Sequence, residues 1–364
     1  MATSADADGL VADYRYDLPP DRIAQRPLAD RDASLLLQVG GVGLSDHRFA
    51  DLPDLLRSGD LLVANDTRVR AARLHGSRAG GGRSEVLILG AAEGGRYSCL
   101  VRPSRRLPAG SVVEIAPDLS ARIQGAAPGH PGARIVEFTS TGDPAEAIER
   151  HGSVPLPPYI HDQLDDPERY QTVFSAGEPR SAAAPTAGLH FTERVLSRLS
   201  ARGIGWATVS LDVGLGTFAP MTAARIDDHV MHEEAFAVPA ATARRIAEVR
   251  EAGGRVVAVG STAVRALETA AGRDGSVRAG PGMTRLFIRS GHRFRVVDAM
   301  LTNFHQPGSS LLVMVAALAG PVWRDAYAHA LGGPYRFLSF GDCMLVWAAG
   351  GRPGPVQGAG RGEG

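Results

Sequence analysis

Short apolar runs separated by glycine, proline and polar clusters recur along this chain, and their texture changes twice. Residues 1–13 are small and acidic without periodicity, which predicts a disordered tail. The fold then begins near Tyr14–Leu18, with a helix-like turn opened by Pro19-Pro20. Ser34–Val39 reads as a strand closed by a glycine hairpin at 40–43, Leu52–Leu56 as a short helix and Leu61–Ala64 as a buried strand. From about Ala71 to Phe138 only short β-like runs appear, at Glu85–Leu89, Tyr97–Val101, Ser111–Ile115 and Ile135–Phe138. They alternate with glycine-rich turns, as in a small all-β barrel or sandwich. Pro144–His151 returns to helix, and Pro155–Tyr159 is a stiff extended linker.

Strand and helix signals then alternate. Strands are expected at 206–211, 255–259, 284–288 and 294–297, and helices at 240–251, 262–270 and 311–319. This order predicts an α/β main domain with a mixed, largely parallel sheet, interrupted by an inserted small all-β barrel domain. The expected division is 14–66 plus 150–348 for the discontinuous α/β domain and 67–149 for the insert, with disordered tails at 1–13 and 350–364.

Composition narrows the class. Hydrophobic residues at 44% and charged residues at 21% suit a soluble globular protein. The start of the chain lacks a signal-peptide pattern, and the longest apolar run, Leu311–Ala319, is too short for a bilayer. A cytoplasmic monomer without membrane association is expected. Two cysteines, Cys99 and Cys343, offer neither a disulfide framework nor a cysteine zinc site. All 39 basic residues are arginine, which excludes Schiff-base and P-loop lysine chemistry. Net charge is zero, yet nine arginines between 65 and 106 face only Asp66, Glu85 and Glu93. That cluster, with Arg102, Arg105 and Arg106 at its end, is a candidate polyanion footprint or a solvated surface.

Candidate chemistry lies in six stretches. In Ala184–Phe191, Pro185 restricts the backbone and Gly188 is free to take a positive φ, so Thr186 and His190 occupy a flexible helix entry. A hydroxyl and an imidazole there suit anion binding or proton transfer, and a structural histidine is the plainer alternative. Asn65, Asp66, Thr67 and Arg68 follow a buried strand without an apolar interruption. Asp212 precedes Gly214, Gly216 and Thr217, a turn that lacks the third glycine and the helix of a dinucleotide fingerprint. Ser261 and Thr262 open a helix carrying Arg265, which is either an anion cradle or a simple cap. On a helix His229 and His232 would share a face. With Glu234 they would bind a divalent metal or act as general acid and base. Asn303 and His305 offer hydrogen bonds to a nucleobase edge, and Phe304 a stacking face.

Seven blocks occur in order: Gly59-Asp-Leu-Leu-Val-Ala-Asn-Asp-Thr-Arg-Val, Pro155-Leu-Pro-Pro-Tyr-Ile, Ala183-Ala-Pro-Thr-Ala-Gly-Leu-His-Phe, Val213-Gly-Leu-Gly-Thr-Phe, His229-Val-Met-His-Glu-Glu, Thr302-Asn-Phe-His and Tyr335-Arg-Phe-Leu-Ser-Phe-Gly-Asp. From Tyr14 to Val346 the set resembles the S-adenosylmethionine:tRNA ribosyltransferase-isomerases of queuosine biosynthesis, the QueA family. The resemblance implies a mixed-sheet domain interrupted by a β-barrel. It also implies transfer and isomerisation of the ribosyl group of S-adenosylmethionine onto 7-aminomethyl-7-deazaguanine at the tRNA wobble position. Epoxyqueuosine-tRNA, adenine and methionine would be the products. S-adenosylmethionine is then a consumed substrate, and no metal or other cofactor is expected. The implied catalytic set is His190, His229, His232 and Glu234. Ser261, Thr262 and Arg265 would hold the methionine carboxylate or a tRNA phosphate, Asn303, Phe304 and His305 a base, and Asn65–Arg68 would meet RNA.

The chain departs from the family's pattern at four places. Asp212 stands where His is usual, Ala219 where a longer polar residue is common, Gln306 replaces Leu, and Gly308 replaces Lys or Glu. If the missing His is catalytic, Asp212 must substitute for it. A divergent paralogue with another acceptor, or a metal-dependent hydrolase built on His229, His232 and Glu234, are the alternatives. A non-catalytic RNA-binding protein using the arginine-rich insert is a further one.

Overall fold

Leu61–Asn65 is buried along its whole length because both faces of its sheet are covered, so an uninterrupted apolar run is what the position requires. The structure, a computed structural model, describes residues 9–40, 43–128, 132–177, 179–214 and 220–350. Its early strands are β1 (Leu35–Val39), β2 (Leu44–Arg48), β3 (Leu61–Asn65) and β4 (Arg68–Val69). The next six are β5 (Arg73–Arg78), β6 (Arg83–Ala92), β7 (Arg96–Arg102), β8 (Val112–Ala116), β9 (Leu119–Ala126) and β10 (Arg134–Ser140). Then follow β11 (Pro179–Ser181), β12 (Gly205–Leu211), β13 (Glu234–Val238), β14 (Val256–Val259), β15 (Gly280–Thr284), β16 (Ala299–Asn303) and β17 (Cys343–Trp347).

Among the described residues nine strands form one mixed sheet in the order β15-β13-β12-β3-β14-β16-β17-β1-β2. Its middle strands β12, β3, β14 and β16 are mutually parallel, whereas the β15/β13, β13/β12, β16/β17 and β1/β2 pairings are antiparallel. Alternation along β3 sends Leu61 and Val63 into one apolar layer and Leu62 and Ala64 into the other. Behind the parallel strands, at their amino ends, the fully buried Arg255 donates from Nε to Asp60 Oδ1 at 3.0 Å and lies 4.1 Å from the Trp347 ring centre.

Strands β5–β10 close into an antiparallel barrel in the order β10-β7-β6-β5-β8-β9, around a core of its own that includes Val86, Ile88, Val113, Ile123 and Val136. The helix following β10, Pro144–His151, begins on an Asp143 side-chain cap and buries Ala147 and Ile148 in that core. Arg73–Arg78 and Leu119–Ala126 carry too many polar residues to read as strands, yet barrel closure pairs them.

Three readings need correction. Residues 9–13 belong to the fold, since Val11 is buried and its N–H donates to the Ala224 carbonyl at 3.0 Å; residues 1–8 and 351–364 lie outside the described residues. The strand expected at 284–288 instead covers Gly280–Thr284, and 294–297 is not a strand. Ser310–Gly332 is a helical stretch long and apolar enough to cross a membrane by length and composition. Leu312, Val313, Trp323 and Tyr327 nevertheless bury it in the main core, and a Gly320-Pro321 break divides it.

Candidate active site

Because β12, β3, β14 and β16 run the same way, their carboxyl ends arrive at one edge of the sheet. They deliver residues 212–214, 66–68, 260–262 and 304–306 respectively. Ligands of open α/β sheets bind at such an edge. A cavity opens there, lined by Tyr159, Thr186, Val213, Asn303, His305 and Ser339 among others. Through Ser261, Thr262 and Leu311 it adjoins a wider one, bordered by Gly214, His229, His232, Glu234, Arg265 and Phe287.

The floor of the inner cavity carries a hydrogen-bonded polar network, with the buried Thr262 Oγ1 beside it outside that network. Thr186 Oγ1 donates to Asn303 Oδ1 at 2.9 Å, and Asn303 Nδ2 lies 3.2 Å from His190 Nε2. On the far side, His190 Nδ1 meets Ser34 Oγ at 2.7 Å, while the ring lies over Phe49 at 5.2 Å. Burial pushes the imidazole down to about 3, helped by the nearby charges of Arg336 and Arg31, so it is neutral across the physiological range. His190 therefore stands behind the wall, not in the cavity, with both ring nitrogens hydrogen-bonded to Ser34 and Asn303, so the catalytic role expected for it is not one of direct contact in this cavity. Residues 186–190 form a buried 3₁₀ turn rather than a flexible loop. Gly188 does not take a positive φ there; it is needed for space, since a Cβ would come within 2.7 Å of Phe174 and 2.8 Å of Thr172.

The segment after β16 is equally locked. Phe304 is fully buried against Tyr335, Phe337 and Tyr327, so its ring cannot stack on a base as expected from the sequence. His305 bonds through Nε2 to Thr302 Oγ1 at 2.8 Å, its N–H donates to Tyr327 Oη at 2.9 Å, and its carbonyl accepts from Tyr16. Burial pushes this imidazole too down to about 3.

The outer cavity differs. Glu234, at the start of β13, accepts the Gly214 N–H at 3.0 Å and pairs with Arg265, whose Nε donates to the Leu286 carbonyl at 3.1 Å. Both partners of the pair are buried, and burial lowers the Arg265 guanidinium to about 10. Glu234 thus anchors Arg265. Gly260, with φ of +86°, turns the chain from β14 into the helix Ser261–Ala270 that carries Thr262 and Arg265. Residues 229–233 are not helical, so His229 and His232 do not share a helix face. They come together at the cavity rim, where His229 is half-buried with its ring edge-on to Phe287 at 5.2 Å and His232 is exposed. Burial and the neighbouring His232 lower the His229 imidazole below its ordinary value. Among the described residues no three His, Cys, Asp or Glu side chains converge as metal ligands, so His229, His232 and Glu234 do not form the set the hydrolase reading requires.

Asp212 sits elsewhere. Extended backbone alternates its side chains, so Val213 faces the inner cavity and Asp212 faces a separate pocket with Asp66, Thr67 and Arg180. The residue expected to substitute for the missing histidine thus lies outside the cavity that His229 and His232 border. Asn65 is buried and spent on the fold: its Oδ1 accepts from Leu211 and Thr67 N–H groups at 3.0 and 3.2 Å, and its Nδ2 donates to the Leu211 carbonyl. Thr67 is buried as well, and Arg68 pairs with Glu168 at 2.5 Å, so the expected RNA contact at 65–68 reduces to Asp66 and Arg68 at the surface. Arg102, Arg105 and Arg106 are exposed together with Arg83 and His75 in a groove on the barrel. Gly216, Thr217 and Ala219 lie outside the described residues.

Residues not anticipated also shape the site. Tyr159 Oη and Ser339 Oγ, 2.7 Å apart, line the inner cavity beside Leu338, the one non-glycine residue with positive φ (69°) among those described. Only the proline-rich block around Tyr159 and the block around Ser339 hinted at them. Nothing local in the sequence marks Ser34.

A family model described as "Queuosine biosynthesis protein" matches residues 11–346. The chain is 50% identical over 342 residues to the S-adenosylmethionine:tRNA ribosyltransferase-isomerase of Moorella thermoacetica, covering 92% of this chain and 99% of that one. It is 48% identical over 339 residues to the protein of the same name from Dechloromonas aromatica, covering 92% and 96%. The crystal structure of S-adenosylmethionine tRNA ribosyltransferase from Thermotoga maritima is similar with a TM-score of 0.52 at 34% identity, covering 91% of this chain and 99% of that chain.

Proposed function

The chain belongs to the queuosine biosynthesis protein family, and from this premise we propose that it is an S-adenosylmethionine:tRNA ribosyltransferase-isomerase. In this reading it moves the ribosyl group of S-adenosylmethionine onto 7-aminomethyl-7-deazaguanine at the tRNA wobble position. Epoxyqueuosine-tRNA forms, and adenine and methionine leave. S-adenosylmethionine is consumed as substrate, and neither a metal nor a redox cofactor enters the proposal.

The observation that supports this chemistry most is the contrast between a neutral, polar floor and two histidines at the rim of the adjoining cavity. The sulfonium acidifies the adjacent ribose carbon, so the reaction needs a base to remove a proton and an acid to assist departing adenine. His229 and His232 are the groups we assign to those transfers, because a half-buried imidazole of lowered basicity is neutral, and a competent base, at physiological pH. The floor, with Thr186, Asn303 and Ser261, binds the donor without adding charge. The barrel groove of Arg83, Arg102, Arg105 and Arg106 receives the tRNA backbone.

Incubation with S-adenosylmethionine and tRNA bearing the aminomethyl-deazaguanine tests the reading, with free adenine and methionine as readouts. Release of both in equal amounts supports it. No release with intact donor and correctly modified tRNA overturns it.

A further inference from the structure

Ser34 settles how the buried network is oriented. Its hydroxyl proton is committed to the Arg31 carbonyl at 2.7 Å, so toward His190 Nδ1, also 2.7 Å away, Ser34 Oγ can only accept. Nδ1 therefore carries the imidazole proton and Nε2 is the bare acceptor. The Asn303 group facing Nε2 must then be the amide nitrogen, and the same nitrogen has a second acceptor, the Asp342 carbonyl, at 3.5 Å. With the nitrogen so placed, Asn303 Oδ1 faces Thr186 and takes the hydroxyl proton at 2.9 Å. Each hydrogen bond leaves its neighbour one choice, from the Arg31 carbonyl to the cavity wall.

We infer that His190 is a positioning residue: protonated on Nδ1 alone, it fixes the Asn303 amide so that Thr186 offers the cavity only hydrogen-bond acceptors. The group that binds against Thr186 is accordingly an N–H or O–H donor of the bound nucleoside, an exocyclic amine or a ribose hydroxyl. A charged ring is disfavoured from several sides. Arg31 and Arg336 bring positive charge, Phe49 covers one face, and the Asp342 carboxylate is occupied by the Leu35 and Arg336 N–H groups at 2.9 and 2.7 Å. A protonated Nε2 would meet the Asn303 amide hydrogens, breaking the relay. The identity of the nucleoside rests on the functional reading above; the tautomer does not.

Histidine-selective ¹⁵N spectra of the full chain test the tautomer without any substrate, with His190→Gln identifying the signal. The relay requires a bare Nε2 and a protonated Nδ1 from pH 8 to pH 5. Protonation on Nε2, or titration of the ring within that range, overturns it; if His190→Gln does not fold, the through-space contact of the ring to Phe49 identifies the signal in the wild type. Kinetics test the consequence. His190→Gln and Thr186→Val each raise the donor KM about tenfold with kcat within about threefold, the double variant is no worse than either single one, and Thr186→Ser restores binding. A loss in kcat above about a hundredfold at unchanged KM, with the acid limb of the pH profile abolished, would instead make His190 the base. If wild-type protein releases no adenine, the functional reading falls and the spectra still decide the relay.

Discussion

The floor and the rim of the candidate site use the same side chains under opposite conditions. At and behind the floor, His305 and His190 are buried, neutral and bonded to hydroxyl groups, and the cavity there presents amides and alcohols. At the rim, His229 is half-buried and His232 exposed, bordered by an aromatic edge and a buried Glu234–Arg265 pair. Depth separates them: desolvation holds the floor histidines neutral, while the half-buried His229 is lowered by less complete burial and by its neighbour His232. An imidazole that cannot change charge orients its neighbours, and one that can is available for proton transfer.

The strongest test of that contrast is at the rim. His229→Asn is expected to lower kcat by about 10² to 10⁴, as loss of a general base does, and to leave thermal stability nearly unchanged. In the wild type, the acid limb of kcat/KM is expected below the ordinary histidine value of about 6.5, because a lowered basicity keeps His229 deprotonated to lower pH. A limb above that value would remove His229 as the base.

The ion pair between floor and rim gives the next effect, on stability. Arg265→Met strands the buried Glu234 carboxylate and is expected to cost about 3 to 5 kcal/mol in chemical denaturation. Adding Glu234→Leu is expected to recover most of it. A single variant as stable as wild type would show that Glu234 is not held by Arg265.

The floor histidines predict a smaller, pH-dependent effect. Their folded values are depressed, so the unfolded chain binds more protons in acid. Their contribution is complete above about 6.5 and is lost as pH falls toward about 3, at a slope approaching 1.4 kcal/mol per unit for each ring. His190→Gln should flatten the decline measured by urea unfolding between pH 6.5 and 5. An unchanged slope would mean that His190 titrates alike in both states.

The smallest expected change lies outside both regions. Arg106→Ala is expected to weaken tRNA binding a few-fold and reduce its salt dependence by about 0.7 to 0.9 in log–log slope, without altering donor affinity. A change in donor affinity would tie the barrel groove to the cavity itself.

Much of this is legible in the sequence alone. Val256–Val259 and the other apolar runs indicated strands buried on two faces, and the texture between Ala71 and Phe138 indicated the barrel. The blocks around Thr186, Gly260, Asn303 and His229 marked chain segments that do meet at one cavity edge. Roles within those segments were less legible. Phe304 read as a stacking face and is core, His190 read as a catalytic residue and lies behind Asn303, and Asp212 read as a substitute for a histidine and faces a separate pocket.

What the sequence by itself determined is the set of elements and their polar ends, because hydrophobic periodicity and strand-terminal residue types are local properties. What only the tertiary structure decided is depth and direction. Val213 and Asp212 are neighbours that extended backbone sends to opposite sides, and Ser34, 156 positions before His190, dictates its tautomer through one shared proton. Desolvation and hydrogen-bond direction depend on everything that surrounds a group, and most of what surrounds these histidines is distant in the chain.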